Sequence, residues 1–420
     1  MTVTEFLEVN PPYLFADYQA TKLRAPLAPL VTVPDELLRQ SPGPAFDRIP
    51  YRDTDRDLNN QHAAQPIGQR IILFGQVLDR AGQPVPETLI EIWQVNGAGR
   101  YADPVDPAFF PLDPNFTGAG RCRTGPDGSF QFLTLRPAAY PGDRGGLYRP
   151  SHIHVSVFGK YLASRLITQC YFEDDPLLQR DPIFQAIPSR NAMQRLVARF
   201  VGEQTEWNGQ DSALAYRWDI VLRGGTDAPG PVSTSTGLAD TGLADTGPAL
   251  HGDGQQTTSP SQTIGPLYGF ALMFPGSERA TYPDQPGSVR ISGRVFDGSG
   301  PLAFPDGMLE LWVGDQFART RTDPDGRFTA VLAKPDPAAL PGGPRQAPHV
   351  NVAVFARGLL KQALTRLYFP DEAAANAADP VLGAVPAQRR HRLVAAPDHD
   401  GGLTFDIHLQ GDEESVFFDF

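Results

Sequence analysis

The chain has 420 residues, 41% of them hydrophobic and 20% charged, with a net charge of −12. That length exceeds one ordinary hydrophobic core, so two domains of roughly 200 residues each are expected. The acidic balance, with no basic run, argues against a nucleic-acid partner. No apolar stretch approaches membrane-spanning length and Met1–Phe6 does not read as a signal peptide, so no membrane partner and a cytoplasmic location are expected. Two cysteines, Cys122 and Cys170, fit that reducing compartment better than a disulfide framework.

The apolar periodicity is that of β structure. Ile71–Leu78, Leu89–Trp93, His152–Phe158 and Asp219–Leu222 are short runs separated by turn signals such as Ala81-Gly82-Gln83-Pro84 and Pro126-Asp127-Gly128. Met193–Phe200 is the best helix candidate, and it is short. Residues 224–260 are rich in Gly, Pro, Ser and Thr and carry a tandem Gly-Leu-Ala-Asp-Thr from Gly237 and Gly242. Such a segment cannot bury enough apolar surface to order, which predicts a flexible linker.

Beyond it the first part repeats. Gly75–Asp79 and Glu91-Ile92-Trp93 return as Gly293–Asp297 and Glu310-Leu311-Trp312, and Thr124–Phe130 returns as Thr322–Phe328. Ala138–Gly142 returns as Ala338–Gly342, and Thr168–Phe172 as Thr365–Phe369. One order and similar spacing record a duplicated domain. The expected fold is therefore all-β, with a sandwich in residues 1–223, a linker at 224–260, a second sandwich in 261–420, and few short helices.

The most informative segment is Arg149-Pro150-Ser151-His152-Ile153-His154. Period-2 spacing puts both imidazoles on one face of a strand, near enough to share a metal ion. Two imidazoles alone are a weak site, so the second copy serves as a control. There His349 is kept, but Asn351 stands at the place of His154. Tyr140 becomes Leu340, and Tyr101 has no counterpart because the copy is shortened after Trp312. Half-buried strand-end aromatics would explain either tyrosine singly. Their joint loss with His154 points to a metal site in the first copy and a supporting role for the second. A His₂Tyr₂ set favours Fe(III): phenolate is a hard anionic donor whose pKa near 10 the cation must lower. Cu(I) prefers sulfur, and structural zinc prefers Cys and His.

Together these motifs resemble the intradiol ring-cleaving dioxygenases over nearly the whole chain. The first half resembles the iron-bearing subunit of two-subunit members, in Gly99-Arg100-Tyr101, Leu112–Phe116, Arg149–His154 and Leu166–Gln169. The second resembles their iron-free subunit, in Ser261–Pro266, Phe355–Gly358 and Val416–Phe420. The resemblance implies one Fe(III) per chain, held by Tyr101, Tyr140, His152 and His154. It implies that Tyr101 leaves the metal as substrate binds, that Arg149 stabilises the anionic substrate, and that Gln169 lies in the same pocket. Tyr18, Ile183, Gly265, Pro266 and Arg357 would bind substrate, with Arg357 near a ring carboxylate. Since Arg357 lies beyond the linker, the two sandwiches should pack about a pseudo-two-fold with the pocket between them.

The implied partners are a small aromatic diol and O₂, with a homo-oligomer of the fused pair left open. The diol expected is 3,4-dihydroxybenzoate, cleaved to 3-carboxy-cis,cis-muconate. Gly142 and Leu267 depart from the family pattern, where bulkier side chains are usual, so other substituted catechols such as hydroxyquinol or a sulfonated catechol stay open. An extradiol enzyme would need a carboxylate alongside the His pair, and none tracks it. A non-catalytic, transthyretin-like binding sandwich would hold no iron.

Overall fold

In a computed structural model of the chain, the described residues are 9–33, 42–142, 147–205, 212–223, 256–302, 305–337 and 345–419. Most of the tandem-repeat segment and the Leu340 position lie outside them. The chain is mostly β, and its described helices are as short as Arg190–Gln194 and Ala373–Ala378. No described helix is long and apolar enough to cross a membrane.

In the first half, Ala119–Arg123, Leu89–Trp93, His152–Phe158 and Arg165–Phe172 pair antiparallel in that order. A second group joins Ser129–Leu135 to Arg70–Asp79, then Ser212–Arg217, then Val197–Thr205. Between the two groups lies a core of Ile71, Leu73, Ile90, Ile92, Phe132, Ile153, Val155 and Val157. The strand period then fixes what the opposite face carries. Ile153, Val155 and Val157 enter the core, so His152, His154, Ser156 and Phe158 point away from it.

The second half repeats the pattern. His349–Ala356 pairs with Gly307–Val313 and Ala363–Tyr368, and Ser288–Asp297 pairs with Arg327–Ala333. Val350, Val352 and Val354 fill that core with Leu309, Leu311 and Ile291. A third apolar cluster is shared: Leu89, Trp93 and Phe158 pack with Met308, Trp312 and Phe355. These are the side chains left over by the alternation, one face from each half.

Glu91 and Glu310 project from the middle of those faces, and each is at most 1% exposed. Arg319 bridges them at 2.9 Å to both, Arg165 holds Glu310 at 2.7 Å, and Arg121 holds Glu91 at 3.1 Å. Ser156 Oγ donates to Glu91 at 3.0 Å. Buried charges survive only when paired this fully.

Two expectations need correction. Of Met193–Phe200 only Met193 and Gln194 are helical: Ser189 caps a short helix at Arg190–Gln194, and Val197–Thr205 is a strand paired with Ser212–Arg217. Pairing partners on both sides, at Tyr171 and at Tyr216, outweigh a weak local helical tendency. The end of the supposed flexible linker, Gln256–Pro260, is buried. Ser259 donates its backbone N–H to Val221 O at 2.8 Å, and its hydroxyl accepts from Val221 N at 3.0 Å. Polar side chains that pair with backbone order a stretch that composition alone reads as loose.

Burial opposes ionisation of Glu91, but Arg319 and Arg121 overcome it and hold its carboxyl down at about 2, against 4.5 ordinarily. A depressed carboxyl stabilises the fold above the ordinary value, and that contribution fades as pH falls toward the folded one. Urea midpoints should therefore fall steeply from pH 4.5 to 2, with Glu91 accounting for about 3 kcal/mol. Glu91→Gln should start less stable at neutral pH and lose less on acidification. An unchanged acid slope would remove Glu91 from this account.

Candidate metal centre

The centre is assembled from three elements of the first half. The His152–Phe158 strand supplies both imidazoles, the Tyr140–Pro141 strand one phenol, and the turn after Trp93 the other. Tyr140 pairs with Arg149 across a two-residue ladder, which brings this phenol beside the histidine strand. Gly99 makes the preceding turn at φ 90°, a left-handed conformation that favours glycine, and Tyr101 N–H is held by Asp106 at 2.8 Å.

The donors then converge. Tyr101 Oη lies 3.2 Å from Tyr140 Oη, which lies 3.1 Å from His152 Nε2. The His152 and His154 rings are 5.0 Å apart, and His154 stacks on Trp93 at 4.9 Å and 10°. His152 Nδ1 contacts Pro150 O at 2.7 Å, a bond that fits Nδ1–H as donor and leaves the Nε2 lone pair facing Tyr140. His154 Nδ1 is buried with no hydrogen-bond partner.

Burial, with help from the Arg149 charge, pushes both histidines well below their ordinary pKa, so both are neutral. Burial also pushes Tyr101 and Tyr140 up. Two neutral imidazoles and two phenols that only a nearby cation would ionise make a donor set for a hard, highly charged metal. The residues present fit ferric iron.

Behind the donors stands a second layer in which Arg149 and Gln169 were expected and Asp181, Tyr171 and Gln262 were not. Arg149 Nη2 donates to Gln169 Oε1 at 2.8 Å and to Asp181 Oδ2 at 2.7 Å, while its Nη1 lies 3.2 Å from His152 Nε2. Tyr171 Oη contacts Gln169, Asp181 and Gln262 at 2.9, 3.2 and 3.0 Å. The repeat held the signal: Asp181-Pro182 and Tyr171 return as Asp379-Pro380 and Tyr368. In the second half Tyr368 donates to Asp379 at 3.0 Å and His349 Nδ1 contacts Ala347 O at 2.8 Å. His–Tyr ring separations of 5.7 Å and 37° occur in both copies. The second copy keeps the support without the full donor set.

A cleft of about 910 Å³ opens on Tyr101, Tyr140 and His154. Tyr18, Gly142, Arg149 and Ile183 line it from the first half, and Gly265, Pro266, Leu267 and Arg357 from the second. Every residue expected at the site reaches this wall except His152 and Gln169, which sit just behind it. Gln169 is fully buried and donates to Thr263 O at 2.9 Å, tying the second half to the centre. Gly265, at φ 72°, brings backbone against His154, where a Cβ would lie 3.4 Å from Cε1. Arg357 is not a lone cation: its Nη2 pairs with Asp306 at 2.9 Å.

The sequence matches the dioxygenase family model over residues 42–224. It is 46% identical over 223 residues to the protocatechuate 3,4-dioxygenase beta chain of Burkholderia cepacia, covering 52% of this chain and 93% of that one. It is also 40% identical over 196 residues to the alpha chain from the same organism, covering 38% and 96%. The alpha chain from Pseudomonas putida matches at 39% over 194 residues, covering 39% and 96%. The chain belongs to the intradiol ring-cleavage dioxygenases, a family of oxidoreductases. It carries likeness to both subunits of the two-subunit members within one polypeptide.

Asp181 is wholly buried against Arg149, so its removal strands a cation. Asp181→Leu should cost about 3–5 kcal/mol of unfolding free energy in urea. A loss under about 1 kcal/mol would mean that Gln169 and Tyr171 suffice to hold the arginine.

Proposed function

We propose that the protein is a non-haem Fe(III) intradiol dioxygenase that cleaves 3,4-dihydroxybenzoate with O₂ to 3-carboxy-cis,cis-muconate. The observation that carries this reading is the run of contacts from Tyr101 Oη through Tyr140 Oη to His152 Nε2, at 3.2 and 3.1 Å, at the floor of a cleft with Arg357 in its wall. Residues 1–223 form the iron-binding unit and 261–420 the iron-free unit, packed about a pseudo-two-fold and joined by the segment between. The shared cluster of Trp93, Phe158, Trp312 and Phe355, with Glu91 and Glu310 at equivalent places, supports that arrangement.

Tyr101, Tyr140, His152 and His154 would hold the iron, which would supply Lewis acidity toward the diol. Tyr101 Oη, once ionised, is placed to take a proton from one substrate hydroxyl. Arg149, fixed by Asp181 and Gln169, keeps positive charge beside the developing anion. Gly265 and Pro266 bound the ring from the second half, Tyr18 and Ile183 from the first. Arg357 pairs with the carboxylate. Both atoms of O₂ enter the product, and the ring opens between the two hydroxyl-bearing carbons. Gly142 places no side chain in the cleft wall beside Tyr140, which favours tolerance toward other substituted catechols.

Metal analysis should find a single iron per chain, with visible absorption from phenolate-to-ferric charge transfer. Tyr140→Phe and His154→Asn should each lose most of the iron, the latter reproducing what Asn351 already does. His349→Ala should keep it. Two irons per chain, or an iron-free His349→Ala protein, would overturn the assignment.

Arg357→Leu should lower kcat/KM for 3,4-dihydroxybenzoate about ten- to a hundredfold relative to catechol, the worth of one charge-assisted contact. Equal losses on both diols would mean that Arg357 does not read the carboxylate.

A further inference from the structure

The segment that delivers Tyr18 to the cleft belongs to the first half but lies on the second. Tyr13 Oη donates to Gln362 O at 2.7 Å, and Gly298 N–H donates to Leu23 O at 2.7 Å. Thr21 Oγ1 donates to Tyr18 O at 2.8 Å, closing the turn that presents Tyr18. Three residues further on, Arg24 is 12% exposed at its side chain and makes three contacts, all to the second half. Nε binds Asp297 at 3.2 Å, Nη2 binds Asp306 at 2.6 Å, and Nη1 donates to the backbone carbonyl of Arg357. Asp306 is also the carboxylate that pairs with Arg357, at 2.9 Å. One carboxylate is therefore divided between two guanidiniums, and one of those guanidiniums also grips the backbone of the other.

We propose that Arg24 is a positioning residue that sets the substrate specificity of the cleft. It fixes the backbone of Arg357 and takes a share of Asp306. Asp306 then offsets less of the Arg357 charge, and more of that charge acts on an anionic ring substituent in the cleft. Without Arg24, Asp306 would turn wholly to Arg357, and the cleft would attract a carboxylated diol less while treating a neutral one as before. Both pairs are short and charge-assisted, but Arg24 is largely buried while the Arg357 side chain is 34% exposed, so Arg24 holds Asp306 at least as firmly. This inference rests on the reading of Arg357 as the carboxylate's partner.

The test compares steady-state kinetics of iron-loaded full-length variants on 3,4-dihydroxybenzoate and on catechol. Arg24→Met and Arg24→Gln should each lower the ratio of kcat/KM values, carboxylated over neutral diol, by roughly tenfold. The change should sit in KM for the carboxylated diol. Arg24→Lys should recover most of it. The Arg24→Met, Asp306→Asn double variant should recover part, since Asp306 then no longer neutralises Arg357. An unchanged ratio in both Arg24→Met and Arg24→Gln, or a uniform loss on both diols that lysine does not rescue, would overturn the inference. If Arg357→Leu lowers the ratio and the Arg24 variants do not, Arg24 alone is wrongly assigned. If Arg357→Leu itself leaves the ratio unchanged, the carboxylate reading fails and takes this inference with it.

Discussion

Glu91, Glu310, Arg319, Arg165 and Arg121 form one buried charge network between the two halves, and the rest of the molecule depends on its register. Apolar association is non-directional, so Trp93, Phe158, Trp312 and Phe355 could pack in more than one alignment. A carboxylate from each half held by the same guanidinium admits few. A slip of one residue would send Glu91 or Glu310 into an apolar core without a partner, at a cost of several kcal/mol. The alignment so fixed is what carries Thr263 to Gln169 and Gly265 to His154.

The same alternation makes both the interface and the centre. On the His152–Phe158 strand, His152 and His154 face the donors while Ser156 and Phe158, on the same side, face Glu91 and the partner half. A single face of a single strand thus passes from the proposed metal donors to contact with the second half within seven residues. The second copy shows how such a centre is lost. It keeps the His349, Tyr368 and Asp379 support, while Asn351 and Arg366 stand at the places of His154 and Gln169.

Much of this was legible in the sequence because periodicity and repetition are local. The His152–His154 alternation, the two copies and the loss of Tyr101, Tyr140 and His154 as a set needed no knowledge of long-range contacts. The repeat marks Tyr171 and Asp181, which return as Tyr368 and Asp379, but not what they and Gln262 do, since those roles come from contacts across 10 to 91 residues. The Val197–Thr205 strand was missed for a related reason: its partners at Tyr171 and Tyr216 decide its state, not its own side chains. Nothing in the sequence singles out Arg24, because Asp306 is 282 residues away.

Val31 and Thr32 lie parallel to Phe418 and Asp419, so residues near the two ends of the described chain share a sheet. This orders the assembly of the protein in time. A ribosome releases the first half, with its apolar Trp93 and Phe158 face uncovered, long before Phe418 exists. The Val31–Thr32 strand has no partner to join until Phe418 and Asp419 have been made. The N-terminal segment that presents Tyr18 is then seated only after the second half has been made, and a chain stopped before Gly298 would carry the four proposed donors without the seat for that segment.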